Sequence, residues 1–260
     1  MAWWGKMIGG TLGFMLGGPL GALLGGSLGH QFDAKRGRAE ATGFLPGAQE
    51  RTQAAFFTAT FSVMGHLAKA DGRVSQHEIQ TASSLMDQMQ LNPPQRQAAM
   101  DLFDQGKQPD FPLEDVLRQF RTECHRRVTL LRMFLEIQVQ AALADGRVDP
   151  AENQILLHAA DVLGFDSNQV KRLVDFISGA KGYSVEDGKS LEDAYKVLGI
   201  EPSATDPEIK TAYRRLINRH HPDKLVAKGL PEEMMDLATE KTREIQNAWE
   251  RIRAHRQKQH

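Results

Sequence analysis

At 260 residues the chain is too long for one small module and implies about two domains. Its 32 basic and 33 acidic side chains leave a formal net charge of −1, so the overall balance does not argue for a nucleic-acid or polyanion binder. The single cysteine, Cys124, excludes an internal disulfide framework and a Cys-x-x-Cys zinc site, and fits a reducing compartment.

Residues 1–6 read as a short tail. From Met7 to Phe32 no side chain carries a fixed charge, and the run is dominated by apolar residues and glycine. About twenty residues rising ~1.5 Å each suffice to cross a hydrocarbon core, so residues 7–32 are expected to form a single transmembrane helix. Trp3, Trp4 and Lys6 suit an interfacial anchor on one side. On the other side Lys35, Arg36 and Arg38 outweigh Lys6. The positive-inside rule then puts the bulk of the chain in the cytoplasm and residues 1–6 in the periplasm. Pro19 sits mid-segment, but each half is too short to span alone, so the expectation is a kinked single span. Ser27-Leu28-Gly29 is a small-x-small triplet such as a signal peptidase cuts, yet the apolar stretch exceeds a usual signal core, which favours an uncleaved anchor. Gly9, Gly13, Gly17, Gly21, Gly25 and Gly29 recur every four residues. On one helix they form a smooth ridge suited to close helix–helix approach and hence to a homodimer.

Residues 33–49 are polar, contain Gly43, Pro46 and Gly47, and read as a juxtamembrane linker. Residues 50–180 show helical periodicity, with Phe57, Phe61, Met64 and Ala68 on one face and Phe56, Val63 and Leu67 nearby. Further helical stretches run over 79–89, 94–103, 113–120, 128–144, 155–163 and 170–177, and no stretch alternates with a two-residue period. The segment also repeats itself: Ala70-Asp71-Gly72-Arg73-Val74 returns as Ala144-Asp145-Gly146-Arg147-Val148. Ser75 with Glu78, and Asp149 with Glu152, stand at capping-box spacing for the helix that follows each turn.

These ADGRVxxxE turns resemble the TerB-like (tellurite-resistance) family, whose fold is a helical domain with a pseudo-repeat. The resemblance links Asp71, Glu78, Asp145 and Glu152 to divalent metals. Capping and turn chemistry account for the same residues, and the spacing is not that of an EF-hand loop, so no metal site is assigned. GxxxxGK[ST], HExxH and GxSxG are absent, and the histidines are dispersed. Cys124 and His125 are chain neighbours whose side chains diverge by about 100° on a helix, which is no nucleophile–base pair. The expected role of this domain is binding, without cofactor or catalysis.

Residues 181–189 form a connector. Beyond it Leu191 to Leu198 reads as a short helix capped by Ser190 and stopped by Gly199. Asp206-Pro207 marks a helix start, with Asp206 as cap. Ile209, Ala212, Tyr213 and Leu216 then line one stripe, with Lys210, Arg214 and Arg215 opposite. That helix must stop at His221-Pro222-Asp223, because Pro222 has no amide proton and pushes His221 out of the α region. A third helix over about 232–253 points Ala238, Ile245, Ala248, Trp249 and Ile252 inward.

The order of short helix, basic helix, His-Pro-Asp and long helix resembles the J domain of the DnaJ family. The matching residues are Ala194-Tyr195 with Leu198-Gly199, Ile209 to Leu216, His221 to Lys224, and Ile245 to Trp249. Residues 190–260 are therefore expected to form a J-domain helical hairpin. The resemblance implies docking on an ATP-bound DnaK-type chaperone and stimulation of its ATPase. It makes His221, Pro222 and Asp223 the stimulating loop, and Lys210, Tyr213, Arg214 and Arg215 the docking face. Anchor, TerB-like middle and C-terminal J domain together resemble the membrane-anchored DnaJ-like co-chaperones of Gram-negative bacteria. The expectation is an all-α, single-pass inner-membrane co-chaperone that faces the cytoplasm, with no catalytic site of its own. The alternative is a membrane-bound metal or stress sensor, or a scaffold, acting through the TerB-like domain.

Overall fold

The computed structural model describes residues 17–32, 48–124, 127–181, 191–227 and 235–257, and every regular element in them is an α-helix. The helices group into two compact units that divide between Gly164 and Phe165.

The first unit is built around α2 (Ala48–Ala68), which packs against α4 (Pro93–Gly106), α5 (Leu113–Cys124) and α6 (Val128–Ala142). Its sequence AAFFTATFSVMGHLA has small or apolar residues on all sides, the composition of a helix buried all round rather than along one stripe. Accordingly Phe56, Phe57, Phe61 and Met64 are at most 1% exposed. Phe56, Phe120 and Phe134 make successive ring contacts, with centroids 5.9 and 4.8 Å apart. Some of the polar groups buried in and against α2 reach backbone acceptors. The Ser62 hydroxyl donates to the Thr58 carbonyl at 2.7 Å, and the Gln138 amide donates to the Thr60 carbonyl at 3.1 Å.

Two glycines let α2 and α4 cross with their backbones in contact. A Cβ added at Gly65 would collide with the Phe103 carbonyl, and one at Gly106 with the Ser62 carbonyl.

Each repeat turn is followed by a capped helix, α3 (Gln76–Gln88) and α7 (Pro150–Leu163). Ser75 accepts the Glu78 amide while Glu78 accepts that of Ser75. In the second copy Asp149 accepts the Ala151 amide, and Glu152 accepts that of Asp149. Gly72 and Gly146 hold matching left-handed conformations, with φ of 91° and 89°.

The N-terminal segment is described only from Gly17. Gly17 and Gly18 have φ of 58° and 56°, left-handed conformations open to glycine. Helix α1 (Gly18–Phe32) starts there with Pro19 in its first turn, the position proline tolerates. Among the described residues the helix thus begins just before Pro19 and shows no kink through it. Leu20 and Leu24 are fully buried as α1 packs on α2, α4 and α5. Gln119 pins the start of α1, its amide donating to the Gly17 carbonyl and its oxygen accepting the Leu20 amide, both at 2.9 Å. Residues 7–16, with Gly9 and Gly13, lie outside the described residues. Gly17 stands off the helix, so the ridge is not continuous through it; Gly21, Gly25 and Gly29 keep their spacing on α1. Among the described residues no helix is long and apolar enough to cross a membrane.

The second unit comprises α8 (Ser167–Lys181), α9 (Leu191–Leu198), α10 (Asp206–His220), α11 (Pro222–Ala227) and α12 (Met235–Gln257). Helix α8, expected within the 50–180 domain, packs here on α9. Ala194, Val197 and Leu198 join Ala238, Ile245, Ala248 and Ile252 in a core at most 1% exposed.

Candidate functional site

Helix α10 starts one residue earlier than the sequence implies. Thr205, not Asp206, is the N-cap, and Glu208 accepts both its amide and its hydroxyl at 2.7 Å. Both residues are good caps, and the one three positions before a glutamate wins because the box closes. Ile209, Ala212 and Leu216 are buried against α12, whereas Lys210, Arg214 and Arg215 are exposed. The helix thus presents a cationic outer surface on a tightly packed base.

The chain changes direction at one residue. His221 is extended, with φ −61° and ψ 123°, and α11 opens directly at Pro222. The exposed turn expected at His-Pro-Asp is therefore a joint between two helices. Its carbonyl accepts the amides of Lys224 and Leu225, both at 3.1 Å, and Leu225 is buried, which fixes α11 to the core. Pro222 has no amide hydrogen to donate to α10, and the Thr242 hydroxyl of α12 donates to the His220 carbonyl at 3.0 Å. The Lys224 ammonium donates to the Asn218 side chain. On this framework His221 and Asp223 keep side-chain exposures of 44% and 83%. His221 Nδ1 and the Asp223 carboxylate are 3.9 Å apart, too far for a hydrogen bond; Nδ1 is itself buried, whereas the carboxylate stands open to a partner.

One residue of the site was not legible as such. Trp249, expected to face inward, is only half-buried. It lies almost flat on Tyr213, with centroids 4.6 Å apart and planes 19° apart. The Arg253 guanidinium lies 5.3 Å from the Trp249 ring centre.

Three family models match the chain in order. They describe the transmembrane domain of the co-chaperone DjlA, over residues 1–41, the tellurite resistance protein TerB, over 57–175, and the DnaJ domain, over 193–260. The co-chaperone protein DjlA of Shewanella oneidensis is 46% identical over 98% of this chain and 99% of its own length. Its counterpart in Vibrio cholerae is 47% identical over 96% of each chain, and that of Escherichia coli K12 is 44% identical over 97% and 98%. The chain belongs to the DjlA co-chaperone family. No solved structure matches it. Membership in the DjlA family makes the chain a membrane-associated, J-domain co-chaperone with an Hsp70-type partner, a regulator rather than an enzyme.

Within the TerB-like region of this DjlA-family chain, the two repeat turns meet. The Ser75 hydroxyl lies 3.5 Å from the Asp145 carboxylate, and His77 Nδ1 lies 2.9 Å from it. Burial pushes the Glu152 carboxyl up to about 7, against the hydrogen bond from Asp149 and with help from Glu78, Asp149 and Asp71. Burial raises Glu78 as well. Among the described residues no group of three or more His, Cys, Asp or Glu side chains is arranged to hold a metal ion. Cys124 is buried and its thiol is pushed up to about 12 by that burial, which makes it a packing residue, not a nucleophile. His158 pairs with Glu114 at 2.6 Å, and the half-buried His66 meets the Gly106 carbonyl at 3.3 Å. His125 lies outside the described residues.

Proposed function

We propose that this chain docks through the cationic face of α10 on an ATP-bound DnaK-type chaperone and stimulates its ATPase at the cytoplasmic face of the inner membrane. Lys210, Tyr213, Arg214 and Arg215 make the first contact, and His221, Pro222 and Asp223 carry the stimulation. The observation that supports this reading most is the joint at His221. Two polar side chains stand exposed on a backbone fixed from below by Leu225 and Thr242. An exposed carboxylate on a fixed backbone can accept a charge-assisted bond from a partner cation without first being ordered. The cationic face adds electrostatic steering toward an acidic patch, which raises the rate of encounter. The N-terminal segment holds the chain at the membrane, with the excess of Lys35, Arg36 and Arg38 favouring a cytoplasmic bulk and a periplasmic tail. Glycines at four-residue spacing favour self-association there.

Single-turnover ATP hydrolysis by the DnaK-type chaperone, titrated with the full chain in detergent micelles, tests this. Stimulation is expected from the wild type and is expected to vanish in His221→Gln with an unchanged thermal melt. A wild-type chain that leaves the hydrolysis rate unaltered would overturn the reading.

A further inference from the structure

Helix α12 carries one large side chain whose placement core packing alone does not explain. Ile245, Ala248 and Ile252 are at most 1% exposed and suffice to seat α12 on the core. Trp249, the largest side chain on the helix, stays half-exposed beside them and spends its contact on Tyr213. Arg253 one turn further on lies against the same indole. Tyrosine, tryptophan and arginine are the residue types that dominate binding hot spots, and here they stand in one ladder at the edge of the cationic face.

We infer that Trp249 is a positioning residue for partner docking, holding the Tyr213 ring in the orientation in which it meets the chaperone. The inference rests on the reading of α10 as the docking face. Tyr213 lies half-buried on the flank of the buried stripe, and among the described residues its hydroxyl has no hydrogen-bond partner to fix the ring. Free to rotate, the ring would have to be ordered on each encounter at a cost in affinity. Stacked at 4.6 Å on an indole carried by the core helix, it is ordered beforehand, and Arg253 adds a cation–π contact that holds the indole in turn. The contribution lies in binding, since neither ring reaches into the His221 joint's hydrogen bonds. It therefore moves the half-saturating concentration and leaves the plateau of stimulation alone.

The same titration of chaperone ATPase with the full chain tests this. Trp249→Leu keeps bulk and apolarity but removes the ring, and is expected to raise the half-saturating concentration roughly threefold to tenfold at an unchanged plateau, tenfold being ~1.4 kcal/mol. Trp249→Tyr restores a stacking ring and is expected to stay within about twofold of the wild type, as preorganisation requires. Tyr213→Leu removes the stack from the other helix, so it tests the same link if Trp249→Leu melts below the assay temperature. In the Tyr213→Leu background Trp249→Leu should add less than about twofold, because the two act as one unit. An unshifted Trp249→Leu, a Trp249→Tyr as impaired as Trp249→Leu, additive effects, or a lowered plateau would each overturn the inference. If the wild type stimulates through His221 and Trp249→Leu behaves like it, only this inference falls. If the wild type does not stimulate at all, the co-chaperone reading falls and takes this with it.

Discussion

The first unit and helix α10 of the second treat surface charge differently. On the first unit exposed charges are largely paired within the fold. Arg118 bonds Glu114 at 2.6 Å, His158 closes on the same carboxylate, and Arg96 pairs with Asp87. On α10 of the second unit Lys210 and Arg214 stand four residues apart with like charge, and Arg215 extends the same sign. Like charges at that spacing destabilise an isolated helix by a few tenths of a kcal/mol. No ion pair offsets them among the described residues. Elsewhere in the second unit Lys196 pairs with Glu192, Lys241 with Glu244 and Arg256 with Asp206, so the contrast is with α10 alone, a surface that a second protein would complete.

The largest break in that comparison should come from the helix crossing. Gly106→Val puts three carbons where α2 backbone already lies against α4. Neither backbone can yield without moving the core, and overpacking of this kind costs about 3 kcal/mol or more. Hydrogen exchange read by mass spectrometry is expected to show lost protection in α2 and α4 and retained protection in α10 and α12. Equal loss in both units would show that they fold as one, and the contrast drawn above would not stand.

The second unit was the more legible one. The Ile209, Ala212, Leu216 stripe, the helix stop before Pro222 and the inward Ile245, Ala248 and Ile252 all follow from local rules of periodicity and proline chemistry. What escaped those rules depended on partners distant in the chain. Trp249 satisfies the same apolar spacing as its neighbours, and only the position of α10 shows that its ring stacks on Tyr213. Gly65 and Gly106 carry no signal of their own, because the carbonyls they accommodate belong to another helix. The helix start at Gly18 was hidden for a different reason. Proline is the stronger punctuation in a sequence, so Pro19 drew the kink that two left-handed glycines make unnecessary. The charge on the repeat turns was visible, but their meeting across the first unit was not.

A subtler contrast sets one motif in two environments. Glu152 and Glu208 each close a capping box by accepting the amide of the N-cap residue. Around Glu152 burial dominates and lifts the carboxyl to about 7, while at exposed Glu208 the bonds from Thr205 hold it below its ordinary value. The folded state thus keeps the Glu152 proton more tightly than the unfolded chain does. Its stabilising contribution is complete below the ordinary carboxylate value and is lost as pH rises towards 7, by up to ~1.4 kcal/mol per pH unit. The Glu208 contribution runs the other way, present above the ordinary value and lost as pH falls through the lowered one. Urea unfolding between pH 4.5 and 8 is expected to show a declining stability for the first unit that Glu152→Gln flattens. Glu208→Gln should destabilise the second unit at pH 7 and match the wild type in acid. A Glu152→Gln chain with the wild-type slope would place the titrating group elsewhere.

The smallest effect should separate what holds the second unit together from what it presents. Arg256, near the end of α12, donates to the Tyr195 hydroxyl at 3.2 Å, to Asp206 at 2.8 Å, and to the Pro202 and Ala204 carbonyls at 3.0 and 2.6 Å. It clips the connection between α9 and α10 to the third helix, some 20 Å along α12 from Thr242 at ~1.5 Å per residue. Its acceptors are within reach of water, so Arg256→Ala is expected to cost only about 1–2 kcal/mol. That should lower the melting temperature of the second unit by several degrees and leave the first unit unmoved. Arg256→Lys should recover less than half of the loss, because one ammonium cannot serve four acceptors spread around a planar fork. Below the melt, chaperone stimulation is expected to match the wild type, since neither the His221 joint nor the Tyr213 stack touches the clip. Stimulation that drops in Arg256→Ala while the second unit remains folded would extend the docking surface to the α9–α10 connection. The division on α12 between the Arg256 clip and the Trp249 stack about two turns before it would then have to be given up.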